Sequence, residues 1–391
     1  MEDKGLPADR KKQRLLIALF FFISGILSAT WSSRIPDIQQ KLGLSNAALG
    51  TVLSAIPVGL VTGLSFASWA VASFGAKRVV VVSTLFLTLF LSLAGIASSS
   101  LLLMMMLFLL GISRTLLNLS ANAGAIEVQQ LYNRPIIASF HGIWSLACFV
   151  AAGISTVIII LDVRPVWHFS GIAIAVALTV LLCFKKEKAQ QQNIERRPFF
   201  VKPDRYLFLL GLMALCSMLC EGAMFDWSVN YFENVVHAGK SYVTTGYIAF
   251  IVTMAAGRLA GDRFIYLFGV YRVLAVCGLL MAAGFAVAAL FPFALPAAIG
   301  FALIGMGDSV LVPVIYLLAS KSQKMPASYA LSSVTLVGYA GFLLGPLLIG
   351  NVSDNWGMPT AFGALTFVSL LIILLSLQVK RQPHEDGFTG I

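Results

Sequence analysis

Twelve long apolar blocks run along this chain, at roughly 15–38, 45–74, 78–98, 101–131, 135–161, 165–184, 205–233, 242–268, 272–292, 295–320, 327–352 and 357–379. Each is about as long as the ~20 residues a helix needs to cross a bilayer. None shows the alternation of apolar and polar positions that a membrane β-barrel requires. The pattern predicts an all-α integral membrane protein with 12 transmembrane helices. Two links are very short, Ala97 to Leu101 and Phe291 to Leu295, and force antiparallel hairpins.

One polar break is long. Lys185 to Asp204 contains Lys185-Lys186-Glu187-Lys188 and a Gln-rich patch, and it divides the blocks six and six. The predicted domains are an N-terminal six-helix bundle over 1–184, a cytoplasmic linker over 185–204 and a C-terminal six-helix bundle over 205–391. The two bundles are pseudo-symmetric in sequence. Leu110-Gly111-Ile112-Ser113-Arg114-Thr115-Leu116-Leu117 matches Ile304-Gly305-Met306-Gly307-Asp308-Ser309-Val310-Leu311, 194 positions later, with Arg114 opposite Asp308. The same offset pairs Gly63 with Gly257, Gly75 with Gly269 and Arg78 with Arg272. A chain that repeats itself half-way along, in apolar segments with ionisable residues inside, has the pattern of a duplicated transporter.

Composition agrees. The chain is 59% hydrophobic and only 11% charged, against about 25% charged in soluble domains. Charge sets the orientation. Of the 27 Lys and Arg, only Arg34, Lys41, Arg164 and Lys240 fall in segments on the side opposite the N-terminus. Cytoplasmic loops concentrate Lys and Arg, so both termini are expected inside. This bias accounts for the net charge of +10 without a nucleic-acid partner. The polar, basic start, Met1 to Arg14, leads into an apolar run with no small-residue cleavage site, so it reads as a first spanning helix. The five cysteines lie in or at the ends of apolar blocks and have no histidine partners. They read as packing residues, with no disulfide framework, metal or cofactor implied.

Twelve spans, a six-plus-six duplication and a basic central loop resemble the major facilitator superfamily. The sharpest motif follows the eighth span: Gly257-Arg258-Leu259-Ala260-Gly261-Asp262-Arg263-Phe264, then Gly269 and Arg272. It is similar to that superfamily's cytoplasmic loop signature. Glycine permits close helix approach, and an acid at a helix C-terminus opposes the dipole unless a base compensates it. The resemblance thus implies a conformational latch built from Gly257, Asp262, Arg263 and Arg272. The first-half counterpart keeps its glycines and basic end but carries Ser68 and Trp69 in place of the acid and arginine, so the second-half latch is expected to dominate. Further similarities are Trp31-Ser32 against Trp227-Ser228, and Gly338-Tyr339-Ala340-Gly341 with Gly345-Pro346-Leu347-Leu348-Ile349-Gly350 in the eleventh span. Two signatures of proton-linked exporters are missing: no Gln-Gly follows Arg114, and the fifth span has no proline.

A charge at the centre of a membrane helix costs about 2.5–3.5 kcal/mol on insertion scales, so such residues face the interior and mark function. Arg114, Asn118 and Asn122 lie one turn apart and share a helix face. Such a stripe can hold carboxylate, phosphate or hydroxyl groups, or serve as ion-pair partner and interhelical glue. Glu221 and Asp226 are about 140° apart around their helix, whereas Asp226 and Asn230 share a face. Asp308 lies mid-way along the tenth span, with Arg114 its repeat counterpart and candidate neutraliser. Glu221, whose own span offers no cation, is the favoured proton carrier, with Asp226, Asp308 and His141 as further coupling candidates. Trp31, Trp144, Trp227, Asn230 and Tyr339 complete the candidate substrate contacts. The aromatic ones serve as stacking surfaces or as packing.

The expected function is a secondary active transporter that moves a small polar or anionic organic solute by alternating access, coupled to protons. The alternative is a proton-driven exporter of amphipathic compounds. The expected setting is a bacterial plasma (inner) membrane, the partners being solute, protons and lipid, with the monomer as the working unit. A membrane enzyme would want clustered nucleophile and base or a His-Glu-x-x-His set. The four histidines, His141, His168, His237 and His384, have no such spacing. An ATP-driven pump would want a Gly-x-x-x-x-Gly-Lys-Ser/Thr loop, which does not occur. A transporter-like receptor would want a signalling tail, and ten residues follow Arg381.

Overall fold

The protein is described from a computed structural model, which covers residues 8–132, 136–183, 204–322 and 325–381. These residues form fifteen helices and no strand. In chain order they are α1 (Ala8–Ser32), α2 (Ile35–Leu42), α3 (Asn46–Leu53), α4 (Ala55–Phe74), α5 (Ala76–Ile96), α6 (Ser100–Gln129), α7 (Ile137–Ile160) and α8 (Pro165–Cys183), then α9 (Arg205–Asn234), α10 (Thr245–Phe268), α11 (Val270–Leu290), α12 (Ala294–Asp308), α13 (Leu311–Ser320), α14 (Ala327–Trp356) and α15 (Met358–Arg381). Eleven stretches are long and apolar enough to cross a membrane, and the shorter apolar Thr245–Gly261 in α10 supplies the twelfth. The all-α, 12-span expectation holds.

Two spans that read as continuous are broken. The second splits at Ser54 into α3 and α4, and the tenth splits at Ser309 and Val310 into α12 and α13. Both breaks have a proline three to four residues on, Pro57 and Pro313, each at the third position of the helix that follows. Proline lacks the N–H that would bond four residues back, and its ring crowds that carbonyl. The break in the tenth span falls immediately after Asp308.

The described residues group into two compact units, divided between Trp31 and Ser32, between Pro57 and Val58, and between α8 and α9. In the first unit α5 packs on α6 and α8. In the second, α9 packs on α14 and α15, and α12 packs on α10 and α11. Tyr231, Phe301 and Phe362 stack at the centre of the second unit, with ring centroids 4.6–5.6 Å apart. Ser32–Pro57 also packs in this unit, although it precedes the central break in sequence.

The 194-residue repeat is visible inside each unit. A Cβ added at Gly63 would lie 2.9 Å from the Cβ of Thr115, and one at Gly257 would lie 2.6 Å from the Cβ of Ser309. Thr115 and Ser309 are themselves repeat counterparts. Gly75 and Gly269 join consecutive helices with φ of 81° and 78° and ψ of 146° and 153°. Among the twenty residues only glycine adopts that region freely, and others pay about 1–3 kcal/mol. Gly269→Ala should therefore lower the unfolding midpoint in detergent by several degrees. Gly153→Ala, where the new methyl meets nothing within 4 Å, should leave it unchanged. Equal midpoints for the two variants would show that the turn does not demand glycine.

Candidate functional site

In the first unit, α6 runs unbroken through Arg114, Asn118 and Asn122, so the three do share one face. Arg114 is half-buried, and among the described residues of its own unit it has no acidic partner. Asn118 is exposed and accepts a hydrogen bond from Ser24 Oγ on α1 at 3.5 Å. Asn122 donates its amide to the Asn118 carbonyl at 2.8 Å. The stripe thus presents a guanidinium beside an amide, donors suited to a carboxylate, phosphate or hydroxyl group. Trp31, at the end of α1, is buried with its ring 6.2 Å from that of Phe169, and among the described residues its indole N–H has no hydrogen-bond partner. His141 is exposed at the start of α7 and stands edge-on to Phe21 at 5.3 Å. Trp144 follows one turn later, half-buried.

The second unit brings four polar groups together among its helices. Asp308, the last residue of α12, is 3% exposed. It accepts a hydrogen bond from Ser217 Oγ on α9 at 2.8 Å. One turn along α9, Glu221 faces Arg258 of α10 with 3.7 Å between carboxylate and guanidinium. Both Glu221 and Arg258 lie within electrostatic reach of Asp308. Tyr316 of α13 hydrogen-bonds the Thr335 side chain of α14 and lies within electrostatic reach of Glu221 and Tyr339. Glu221's own helix offers no cation near it, and α10 brings Arg258 to it. Within this unit the cation beside Asp308 is likewise Arg258. Sequence reasoning had placed Arg258 with the basic cytoplasmic loops. The signal that identifies it is its place four residues before Asp262, inside an apolar stretch.

This arrangement has a clear chemical capacity. Glu221 faces the Arg258 guanidinium and Asp308 accepts from the Ser217 hydroxyl, so one negative charge is left over when both carboxylates are ionised. One proton removes that excess. The break after Asp308 frees the backbone there from a rigid helical register.

The remaining predicted residues are dispersed through the second unit. Asp226 is half-buried on α9. Trp227 is fully buried, and among the described residues its indole N–H has no hydrogen-bond partner. Asn230, fully buried, donates to Gln39 Oε1 on α2 and accepts from Asn234 Nδ2 at 2.7 Å. Tyr339 tilts against Phe342 at 6.1 Å. Of the latch residues, Gly257 lies against Ser309, Arg263 and Arg272 are exposed, and the Asp262 side chain lies outside the described residues. Outside the spans, Arg34 and Asp37 form a pair at 3.1 Å. Burial pushes the Asp37 carboxyl above its usual range, against the opposing pull of Arg34. Among the described residues no group of His, Cys, Asp and Glu is placed to hold a metal ion.

Comparison with known proteins gives a consistent picture. The sequence model of the Major Facilitator Superfamily matches residues 16–329. An uncharacterized MFS-type transporter of Yersinia pestis is 28% identical over 369 residues, 94% of this chain and 96% of that protein. The membrane protein MosC of Rhizobium meliloti is 27% identical over 372 residues, 95% of this chain and 90% of that protein. Among solved structures, a mutant of the nucleoside transporter NupG superposes with a TM-score of 0.78 at 12% identity, covering 94% of this chain and 99% of that one. A bacterial homologue of the human lysosomal transporter Spinster, inward-facing and occupied, superposes with a TM-score of 0.74 at 15% identity, covering 96% and 98%.

Proposed function

The chain belongs to the Major Facilitator Superfamily, and on that premise we propose that it moves a small polar or anionic organic solute by alternating access in symport with protons. The observation that carries the coupling is the Asp308–Ser217 hydrogen bond beside the Glu221–Arg258 pair. Four polar groups from three membrane helices meet there, where each isolated charge is costly. In this reading Asp308 and Glu221 load and release the proton, with Asp226 and His141 as relays toward either side. Arg114, Asn118 and Asn122 supply the solute contacts of the first bundle, 1–184. Trp31, Trp144, Trp227, Asn230 and Tyr339 shape the site around them. The two bundles rock around a midplane site, and Gly257, Asp262, Arg263 and Arg272 latch one state from the cytoplasmic side. The protein works as a monomer in a bacterial inner membrane with both termini cytoplasmic.

The test is proton movement in liposomes that hold purified protein and an internal pH dye. The vesicles are challenged with pooled sugars, nucleosides, organic acids and cationic drugs, with Glu221→Gln beside wild type. A pool that moves protons in wild type and not in the variant supports coupling and identifies the solute class. Solute uptake with no proton signal in either protein removes the coupling. A second measurement addresses the stripe: Arg114→Gln should raise the KM for an anionic solute by about tenfold or more, the equivalent of ~1.4 kcal/mol or above. An unchanged KM would remove Arg114 from the solute site.

A further inference from the structure

The segment Ser32–Pro57 belongs by sequence to the first repeat, yet it packs within the second unit. Three sets of polar contacts accompany it there. Arg34, 2% exposed, pairs with Asp37 at the start of α2. Gln39 of α2 accepts from Asn230 of α9 and donates to Asn46 Oδ1 at 2.9 Å. The third set involves a residue that sequence reasoning did not single out. Asp354, near the end of α14, accepts from the backbone N–H of Asn46 at 2.8 Å and of Ala47 at 3.0 Å.

These N–H groups open α3. A helix leaves its first N–H groups without internal partners. Ser45 fills one of them, accepting from Ala48 N at 3.2 Å. The next two are filled by a carboxylate 307 and 308 positions away in sequence. A negative charge at a helix N-terminus also meets the positive end of the helix dipole. The seam beneath this cap is close. Pro346, Gly350 and Asp354 are spaced four apart and share one face of α14. A Cβ on Gly350 would lie 3.1 Å from the Asn46 carbonyl carbon, and a Cβ on Gly50 would lie 3.0 Å from that of Pro346. Glycine on each helix lets the backbones meet, and that proximity puts Asp354 within reach of the α3 N-terminus. At the other end of α3 the proline break at Ser54 separates it from α4, which lies in the first unit from Val58 onward.

We infer that Asp354 is a positioning residue that holds α2–α3 on α14 through the N-terminus of α3, and that this cap sets how much of the protein has the segment docked. The contact is built to be releasable. Asp354 is exposed, and its bonds go to the Ser45 side chain and to two backbone N–H groups, all of which water can satisfy in its place. The break at Ser54 lets α3 move without dragging α4 as a rigid rod. This inference needs neither a particular solute nor proton coupling, so it stands or falls independently of the proposed function.

The test is a distance distribution between spin labels at Thr51→Cys on α3 and Asn355→Cys on α14. Both positions are exposed and outside the seam. All variants are full-length and have the five native cysteines replaced. With Asp354 intact, one short distance should dominate. Asp354→Ala should add a longer population and raise its share at least several-fold, and Asp354→Asn, which keeps an acceptor but loses the charge, should fall between. Adding Ser45→Asp to Asp354→Ala puts a negative charge at the local cap of α3, in place of the one lost, without a tether to α14. The long-distance population should persist in that double variant. An unchanged distribution in Asp354→Ala would overturn the inference. So would a return to the short distance in the Ser45→Asp double variant, since Asp354 would then serve only the folding of α3.

Discussion

Replacing Arg258 with Met should lower the stability of the protein by about 1–3 kcal/mol, and adding Glu221→Gln should recover most of that loss. The single change removes the cation that faces Glu221 and lies within electrostatic reach of Asp308. Breaking a fully buried pair costs about 3–5 kcal/mol, because it strands an uncompensated charge. Here Arg258 and Glu221 keep 27% and 15% of their side-chain surface, so water screens part of the loss. The double variant removes both members of the pair, and replacing a buried pair with neutral groups is often close to neutral. The measurement is thermal unfolding in detergent for wild type, both single variants and the double variant. If the double variant is no more stable than Arg258→Met, then Glu221 is not the group that Arg258 compensates. Asp308 would then be the main partner, and Arg258→Met should become milder when combined with Asp308→Asn instead.

What the sequence disclosed follows from where its information is local. A spanning helix needs about 20 apolar residues in a row, so the spans were legible from block lengths alone. The repeat was legible because Gly63 and Gly257 pack against residues that are themselves repeat counterparts, and Gly75 and Gly269 carry the same strained turn. The two helix breaks were not read, because apolar content is blind to a missing backbone hydrogen bond. Pro57 and Pro313 were the available signal. The Arg114 stripe was legible as a face because helical periodicity places its members, but Ser24 opposite Asn118 was not. Long-range pairings are invisible to periodicity. Nothing local to Gln39 points to Asn230, and nothing near Asp354 points to the start of α3. The pairing of Arg258 with Glu221 was not read for a different reason. The excess of basic residues on the cytoplasmic side is a statistical rule, and it absorbed an arginine whose side chain meets Glu221.

Asp308→Asn should abolish solute-driven proton movement, reducing it at least tenfold toward the level of empty liposomes, while the protein stays folded. Asparagine has nearly the same shape, and its carbonyl can still accept the hydrogen bond from Ser217 Oγ. The packing of this buried position is therefore kept while its proton site is lost. The variant fixes the cluster permanently in the charge state that a proton would produce: one carboxylate, Glu221, facing one guanidinium, Arg258. A transporter that must empty its proton site to complete a cycle is then held at one step. Exchange of solute for solute, which needs no net proton release, should survive. Ser217→Ala provides the scale. It removes one hydrogen bond but leaves the carboxyl able to titrate, so it should shift the pH dependence of transport without stopping it. Proton flux and solute exchange measured side by side in the three proteins separate the two roles. Loss of both activities in Asp308→Asn would mean that Asp308 serves the solute site or the fold. Proton flux at the wild-type rate would remove it from the coupling mechanism and leave Glu221 as the carrier.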